Sequence, residues 1–280
     1  MSLALYRRYR PRTLADVIGQ DPVVGVLRNA AWQNKIGHAY LFYGPRGSGK
    51  TTAARILAKL ANCEKRAADE RFRETGEPCN ACRPCAVIDE GRALDVLEID
   101  AASNRGIDEV RSLKEGIRLS PTSHRHKVFI IDEAHQLTKE AFNALLKMLE
   151  EPPPHAIFVL ATTEFEKIPA TIASRTQRLN FKRVPIKSIK EKLGQVVKGE
   201  GIRVNEDALE LIAASADGSF RDAESLLEQV ISLGAGTDVR GVEQLLGKVG
   251  FRTTAEIAGF LLRGDLEGAL EALARVDEAG

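Results

Sequence analysis

A short apolar run, Ala39-Tyr40-Leu41-Phe42-Tyr43, passes directly into Gly44-Pro45-Arg46-Gly47-Ser48-Gly49-Lys50-Thr51. The pattern then turns helical through Thr52-Ala53-Ala54-Arg55-Ile56-Leu57-Ala58. Strand, glycine-rich bend and helix in that order make a phosphate-binding loop. The glycines let the backbone turn tightly enough for its N–H groups to converge on a triphosphate, and the helix N-terminus adds its positive dipole. Lys50 can reach the β- and γ-phosphates, the Thr51 hydroxyl can hold Mg²⁺, and Thr52 follows on the first turn. A nucleoside triphosphate is the expected ligand.

The rest of the first half suits such a loop. Apolar runs at 39–43, 95–99, 128–131 and 157–160 alternate with helical patterns at 51–60, 107–117 and 139–149. Alternation of this kind predicts an α/β fold, a parallel sheet wrapped by helices, with ligands at the carboxyl ends of its strands. Past about residue 180 the strand signals stop. Pro185 opens a helix to about Lys198, Asn205 is a candidate N-cap for 207–215, and Ser219 a candidate cap for the run to Leu233. From about Val242 the pattern stays helical through 257–262 and 266–276. Three regions follow: 1–180 for nucleotide binding, 181–242 as a small helical domain, and 243–280 as the start of a truncated third domain.

With 44% apolar and 28% charged residues in 280, the chain can bury a sizeable core. No apolar run is long enough to span a bilayer and no signal segment opens the chain, so a cytoplasmic protein without a membrane partner is expected. Lys and Arg number 40 against 39 Asp and Glu, a balance that neither supports nor excludes nucleic acid. Arg7, Arg8, Arg10 and Arg12, and the run His124-Arg125-His126-Lys127, read as a solvated arm and loop or as phosphate contacts.

Val128-Phe129-Ile130-Ile131-Asp132-Glu133-Ala134-His135 is the second informative motif. An apolar strand here delivers two carboxylates: Asp132 to hold Mg²⁺, and Glu133 to polarise a water for attack on the γ-phosphorus. Leu160-Ala161-Thr162-Thr163-Glu164 ends a further strand, where a hydroxyl can orient the water or sense the γ-phosphate. Ser174-Arg175-Thr176 and Gly218-Ser219-Phe220-Arg221-Asp222-Ala223 each supply an arginine able to neutralise charge on a transferring phosphoryl group.

All four cysteines, Cys63, Cys79, Cys82 and Cys85, fall within one short stretch. Cys-x-x-Cys steps with a further cysteine at moderate distance suit a structural, tetrahedral zinc in a module at about 62–90. An iron–sulfur cluster is the alternative, although the close fourth cysteine of the bacterial ferredoxin run is missing.

With these motifs assembled, the chain resembles the AAA+ clamp-loader ATPases of bacterial DNA replication. The likeness also rests on Tyr6-Arg7-Arg8-Tyr9-Arg10-Pro11, Asp16-Val17-Ile18-Gly19-Gln20, Asn143-Ala144-Leu145-Leu146-Lys147 and Glu150-Glu151-Pro152-Pro153. The resemblance implies an AAA+ P-loop fold, a helical lid domain, and a DNA-stimulated ATPase within a replicative DNA polymerase holoenzyme. Its implied cofactors are ATP, Mg²⁺ and Zn²⁺. Tyr6, Arg10, Val17 and Ile18 would border the adenine, Thr163 and Arg221 would be sensors, and Arg175 a finger reaching a neighbouring subunit's site. Thr176 stands where the family usually has cysteine. The implied partners are other clamp-loader subunits, the sliding clamp and primer–template DNA, with polymerase and helicase bound through a C-terminal region largely absent here. Arg105 and Arg111 are candidates for touching DNA. Rival readings are a Holliday-junction branch-migration motor and a nucleotide-binding scaffold that does not hydrolyse.

Overall fold

The computed structural model describes residues 4–103, 116, 117, 119–232, 239–245 and 251–278. The helical pattern expected at 107–117 lies almost wholly outside these, as do Arg105 and Arg111. The chain divides into two compact units. One holds residues 9–185 and 218–220, the other 1–8, 186–217 and 221–280.

The first unit is built on five parallel strands: β1 (Ala39–Tyr43), β2 (Val96–Asp100), β3 (Lys127–Asp132), β4 (Ala156–Thr162) and β5 (Gln177–Asn180). Their order across the sheet is β2-β3-β4-β1-β5. Both faces of β1, β3 and β4 are covered, which is why these strands read as nearly unbroken apolar runs. Successive side chains serve opposite cores. Tyr40, Phe42, Val128, Ile130, Val159 and Ala161 belong to the core that also takes Val23 and Leu27 from the helix Asp21–Trp32 and Ile56 and Leu57 from Lys50–Asn62. Leu41, Phe129, Ile131, Phe158 and Leu160 face the other way, into the core of Phe142 and Leu145 from the helix Lys139–Glu150. Three alanines (Ala53, Ala54, Ala58) are fully buried on Lys50–Asn62, so its backbone can approach the sheet closely.

Two strands differ from the sequence reading. The run at 95–99 pairs one residue later, because Asp95 is committed elsewhere. Its carboxylate, fully buried, accepts from the N–H groups of Thr122 (2.8 Å), Ser123 (2.8 Å) and His124 (3.0 Å) and sits 2.9 Å from His124 Nδ1. β5 carries no apolar run at all. It is an edge strand in which only Leu179 is buried.

A cysteine-bearing module hangs between the helix Lys50–Asn62 and β2. It contains the short helices Glu64–Ala68, Glu70–Arg73 and Arg83–Asp89, the last carrying Cys85.

The second unit is helical. Ile186–Glu200 and Glu206–Ser215 pack Ile189, Leu193 and Val196 with Ala208, Leu209 and Ile212 as buried residues. Asn205 has the extended backbone of an N-cap (φ −63, ψ 146), but its side chain makes no capping hydrogen bond. The helix Phe220–Ser232 buries Ala223, Leu227 and Val230. Val239–Leu245 follows, and then Phe251–Leu262 and Leu266–Glu278 pack against each other around a turn at Gly264 (φ +74). Among the described residues no helix is long and apolar enough to cross a membrane.

Asp95 makes acid stability measurable at one residue. Burial alone would raise its pKa, but the N–H donors of Thr122 and Ser123 and the His124 ring outweigh it and hold the carboxyl down at about 2. A depressed carboxylate contributes stability above its unfolded value and loses it as pH falls through the folded one, here about 2 kcal/mol. The urea midpoint of the wild type should therefore exceed that of Asp95→Asn near neutrality. The gap should close as pH is lowered from about 5 to about 2; a gap independent of pH would contradict this.

Candidate functional site

The phosphate loop lies between the carboxyl end of β1 and the helix Lys50–Asn62, where the chain leaves the sheet between β4 and β5. Its glycines are required by geometry. Gly44 (φ +143) passes so close to Phe181 that a Cβ would lie 2.1 Å from the Phe181 carbonyl oxygen. Gly47 (φ +69) lies against Ser219, whose Oγ would be 1.8 Å from an added Cβ. Gly49 (φ +101) is left-handed and in open space, and it places the first helical N–H groups at the bend. Ser48 donates to the Pro45 carbonyl at 2.8 Å, while Arg46 is exposed and Thr52 half-buried. Lys50 is buried and folds back to donate to the carbonyls of Gly44 and Pro45, both at 2.8 Å. Burial lowers its pKa, and the charges of Glu133 and Asp132 pull in the opposite direction.

The carboxylates arrive from β3. Thr51 Oγ1 donates to Asp132 at 2.7 Å, and the other Asp132 oxygen accepts from the Glu133 N–H at 2.9 Å. Glu133 adopts the left-handed conformation (φ 48, ψ 43), uncommon for a residue with a side chain. Its carboxylate accepts from the Thr163 hydroxyl at 3.0 Å. Thr163 follows directly after β4, so three strand ends meet here. His135, which the sequence reading left without a role, has a side chain only 4% exposed in the same cluster. Its Nδ1 lies 3.0 Å from Thr162 Oγ1 and 3.5 Å from Glu133, and its Nε2 3.0 Å from Glu164.

The four cysteine sulfurs all lie within 4.8 Å of one another. Zn–S bonds of about 2.3 Å set tetrahedral sulfurs about 3.8 Å apart, so the donor set fits a tetrahedral ion with little adjustment. Backbone N–H groups already point at sulfur: Cys79 toward Cys63 Sγ at 3.4 Å and Cys82 toward Cys79 Sγ at 3.2 Å. Cys63 is held down to about 4, chiefly by the Cys85 thiol, while Cys85 itself is pushed up by Cys63. One thiolate among neighbouring thiols resists further ionisation, and a divalent cation removes that resistance. The buried Arg66, whose charge couples favourably to Cys63 and Cys85, adds positive potential beside the sulfurs.

The family described as "DNA polymerase III, delta subunit" matches residues 19–185, and "DNA polymerase III clamp loader subunit, ATPase lid domain" matches residues 188–236. The tau subunit of DNA polymerase III from Bacillus subtilis is 47% identical over 280 residues, 99% of this chain and 48% of that protein. Its Escherichia coli counterpart is 43% identical over 244 residues, covering 87% of this chain and 37% of that one. The chain belongs to the tau/gamma family of DNA polymerase III clamp-loader subunits. It spans about half the length, or less, of these relatives. The RuvB Holliday-junction branch-migration motor of Thermotoga maritima superposes with a TM-score of 0.62 over 90% of this chain and 79% of its own, at 19% identity. That likeness shows a shared fold and nothing finer.

The remaining expected residues fall in both units of this tau/gamma-family chain. Val17 is buried in the core and Ile18 half-buried, on the connector leading to Gln20; Arg10 is half-buried. Gln20 is 1% exposed. Its amide donates to the carbonyls of Ser48 (3.3 Å) and Lys182 (2.8 Å) and accepts from the Lys182 N–H (3.0 Å). Its only sequence signal is its place in the Gly19-Gln20 pair. Tyr6 and Arg221 lie in the second unit, the guanidinium 5.1 Å from the ring centre. Arg175 bonds Glu150 at 2.8 Å and the Thr171 carbonyl at 2.8 Å at the surface of the first unit.

Gly47→Ala tests the loop geometry. The substitution adds a Cβ at positive φ against Ser219 and should weaken triphosphate binding by at least about tenfold while the thermal midpoint falls by only a few degrees. Unaltered affinity in equilibrium titration would mean that the loop tolerates a side chain there.

Proposed function

We propose that the chain is the ATPase portion of a bacterial clamp-loader subunit, acting in the cytoplasm. It binds ATP between subunits and hydrolyses it when the assembly has opened a sliding clamp and gripped primer–template DNA. The observation that supports this reading is the pair of bonds Thr51–Asp132 and Thr163–Glu133, which brings two hydroxyls and two carboxylates together at one end of one sheet.

The roles follow from the chemistry of each group. Gly44–Thr51 would enclose the phosphates with Thr52 on the first helical turn, and Lys50 would exchange its two carbonyl acceptors for phosphate oxygens. Thr51 and Asp132 would hold Mg²⁺, which supplies charge neutralisation on the β- and γ-phosphates. Glu133 would orient the attacking water, and the Thr163 hydroxyl, now bonded to it, would report the γ-phosphate. Arg175 would leave Glu150 to serve a neighbouring subunit's site. Tyr6, Arg10, Val17 and Ile18 would border the adenine, and Arg221 would join the lid to the nucleotide. The four cysteines would hold a structural zinc. The leucines exposed on 261–273 suit the start of an oligomerisation domain. Other clamp-loader subunits, clamp and DNA are the partners, with polymerase and helicase bound through a further segment. Contacts to DNA would be mainly to phosphates, so activity should fall steeply with salt.

ATP turnover by the full-length subunit, assembled with its partner subunits, clamp and primed DNA, tests the reading. Lys50→Ala should lose nucleotide binding. Glu133→Gln should bind ATP but hydrolyse it at least about a hundredfold more slowly. Arg175→Ala should keep binding and lose roughly a thousandfold in rate within the assembly. Turnover driven by junction DNA without clamp would favour the branch-migration reading, and no turnover with all partners present the scaffold reading.

Elemental analysis of the purified chain should find one zinc for every four cysteines. Iron, or no metal in a folded chain, would overturn the zinc assignment.

A further inference from the structure

Residues 12–20 form neither helix nor strand, so side chains from elsewhere decide where this connector lies. Locally it closes on itself: Asp16 Oδ2 accepts from the N–H groups of Arg12 (3.2 Å) and Thr13 (2.9 Å), and Thr13 Oγ1 from that of Asp16 (3.2 Å). One end is clamped to the phosphate loop by Gln20 through the Ser48 carbonyl. The other end is clamped to the cysteine module. Glu77 accepts from the N–H groups of Leu14 (2.7 Å) and Ala15 (3.0 Å), and its second oxygen also pairs with Arg28 at 2.8 Å. Lys59, its side chain 1% exposed, donates to the Arg12 carbonyl (2.7 Å), Asn80 Oδ1 (2.8 Å) and Asp89 Oδ1 (2.7 Å).

Each of these module residues is tied to a cysteine. Glu77 stands two positions before Cys79, Asn80 (φ 55) lies within the Cys79–Cys82 step, and Asp89 ends the helix that carries Cys85. Gly76 lets the carboxylate come so near. At φ +66, any Cβ there would meet Arg28 Cγ at 2.5 Å and the Arg28 carbonyl oxygen at 2.9 Å. Val17 and Ile18 lie between the two clamps.

We infer that Glu77 and Lys59 are positioning residues for the nucleotide base. Through them the metal-binding module fixes the connector, so an ordered module raises affinity for the adenosine part of ATP and not for its triphosphate. The inference rests on the proposed reading in which Val17 and Ile18 border the adenine. Its physical basis is a division of labour. The phosphates meet the loop at 44–51, whose own hydrogen bonds do not involve the module. The base meets the connector, whose backbone is held by three hydrogen bonds: two to Glu77 of the module and one from Lys59, a buried positive charge that the module's Asn80 and Asp89 also hold.

Equilibrium binding of ATP and of inorganic tripolyphosphate to the full-length subunit tests this. Glu77→Ala should raise the Kd for ATP roughly tenfold and that for tripolyphosphate less than about twofold. Glu77→Gln, which keeps the shape and one acceptor, should fall between. Chelating the bound metal should reproduce the Glu77→Ala pattern, and Glu74→Ala, an exposed neighbour, should leave both ligands unaffected. Unchanged ATP affinity, or equal weakening of both ligands, would overturn the inference. If Glu77→Ala does not fold, amide exchange in the wild type decides. Exchange at Leu14 and Ala15 should quicken when the metal is removed, and unchanged protection would overturn the inference. A wild-type chain that binds ATP no more tightly than tripolyphosphate would overturn the adenine reading itself, and this inference with it.

Discussion

The bond from Thr51 to Asp132 joins residues 81 positions apart, and the rest of the site is arranged around it. It forms only because β1 and β3 end level with each other on either side of β4. Tyr43 pairs with Thr162, and Ile131 with Leu160, so the last residues of all three strands emerge at one edge. A slip of one residue in either ladder would reverse the facing of every side chain on that strand. The two cores prevent it, because Phe42 and Ile130 are required on one face and Leu41 and Phe129 on the other.

Around that edge, charge is balanced by geometry. The buried Lys50 ammonium is opposed by two carboxylates, and its present partners are backbone carbonyls that a phosphate can replace. Glu133 is held by a threonine hydroxyl in a backbone conformation that costs about 1 kcal/mol or more. Strain of this kind persists where the surroundings over-determine it, and here His135, Thr162 and Thr163 do so. The Glu133 carboxylate stays restrained until something competes for the Thr163 hydroxyl.

Much of this was legible because it is local in sequence. The phosphate loop, the carboxylate pair and the Cys-x-x-Cys step each occupy a few consecutive residues, and the three buried strands announced themselves by apolar runs. β5 was invisible because an edge strand with one buried residue, Leu179, carries almost no hydrophobic signal. Asp95 looked like the start of a strand, since nothing in the sequence tells that loop amides 27 to 29 residues away converge on it. Lys59 and Glu77 carry no such local signal. Their partners, Arg12 and Leu14, are 47 and 63 positions distant, and only the folded chain brings them within bonding distance. The opening Tyr6 and Arg10 read as one signature, yet the first eight residues group with the helical unit and Arg10 with the sheet.

A crystal structure of the full-length subunit with Mg²⁺ and a non-hydrolysable ATP analogue is the most direct measurement. The terminal phosphate should lie within bonding distance of Lys50 Nζ, with the metal between Thr51 and Asp132 and the Thr51–Asp132 hydrogen bond lost to it. An analogue bound elsewhere, with Lys50 still on the Gly44 and Pro45 carbonyls, would contradict it.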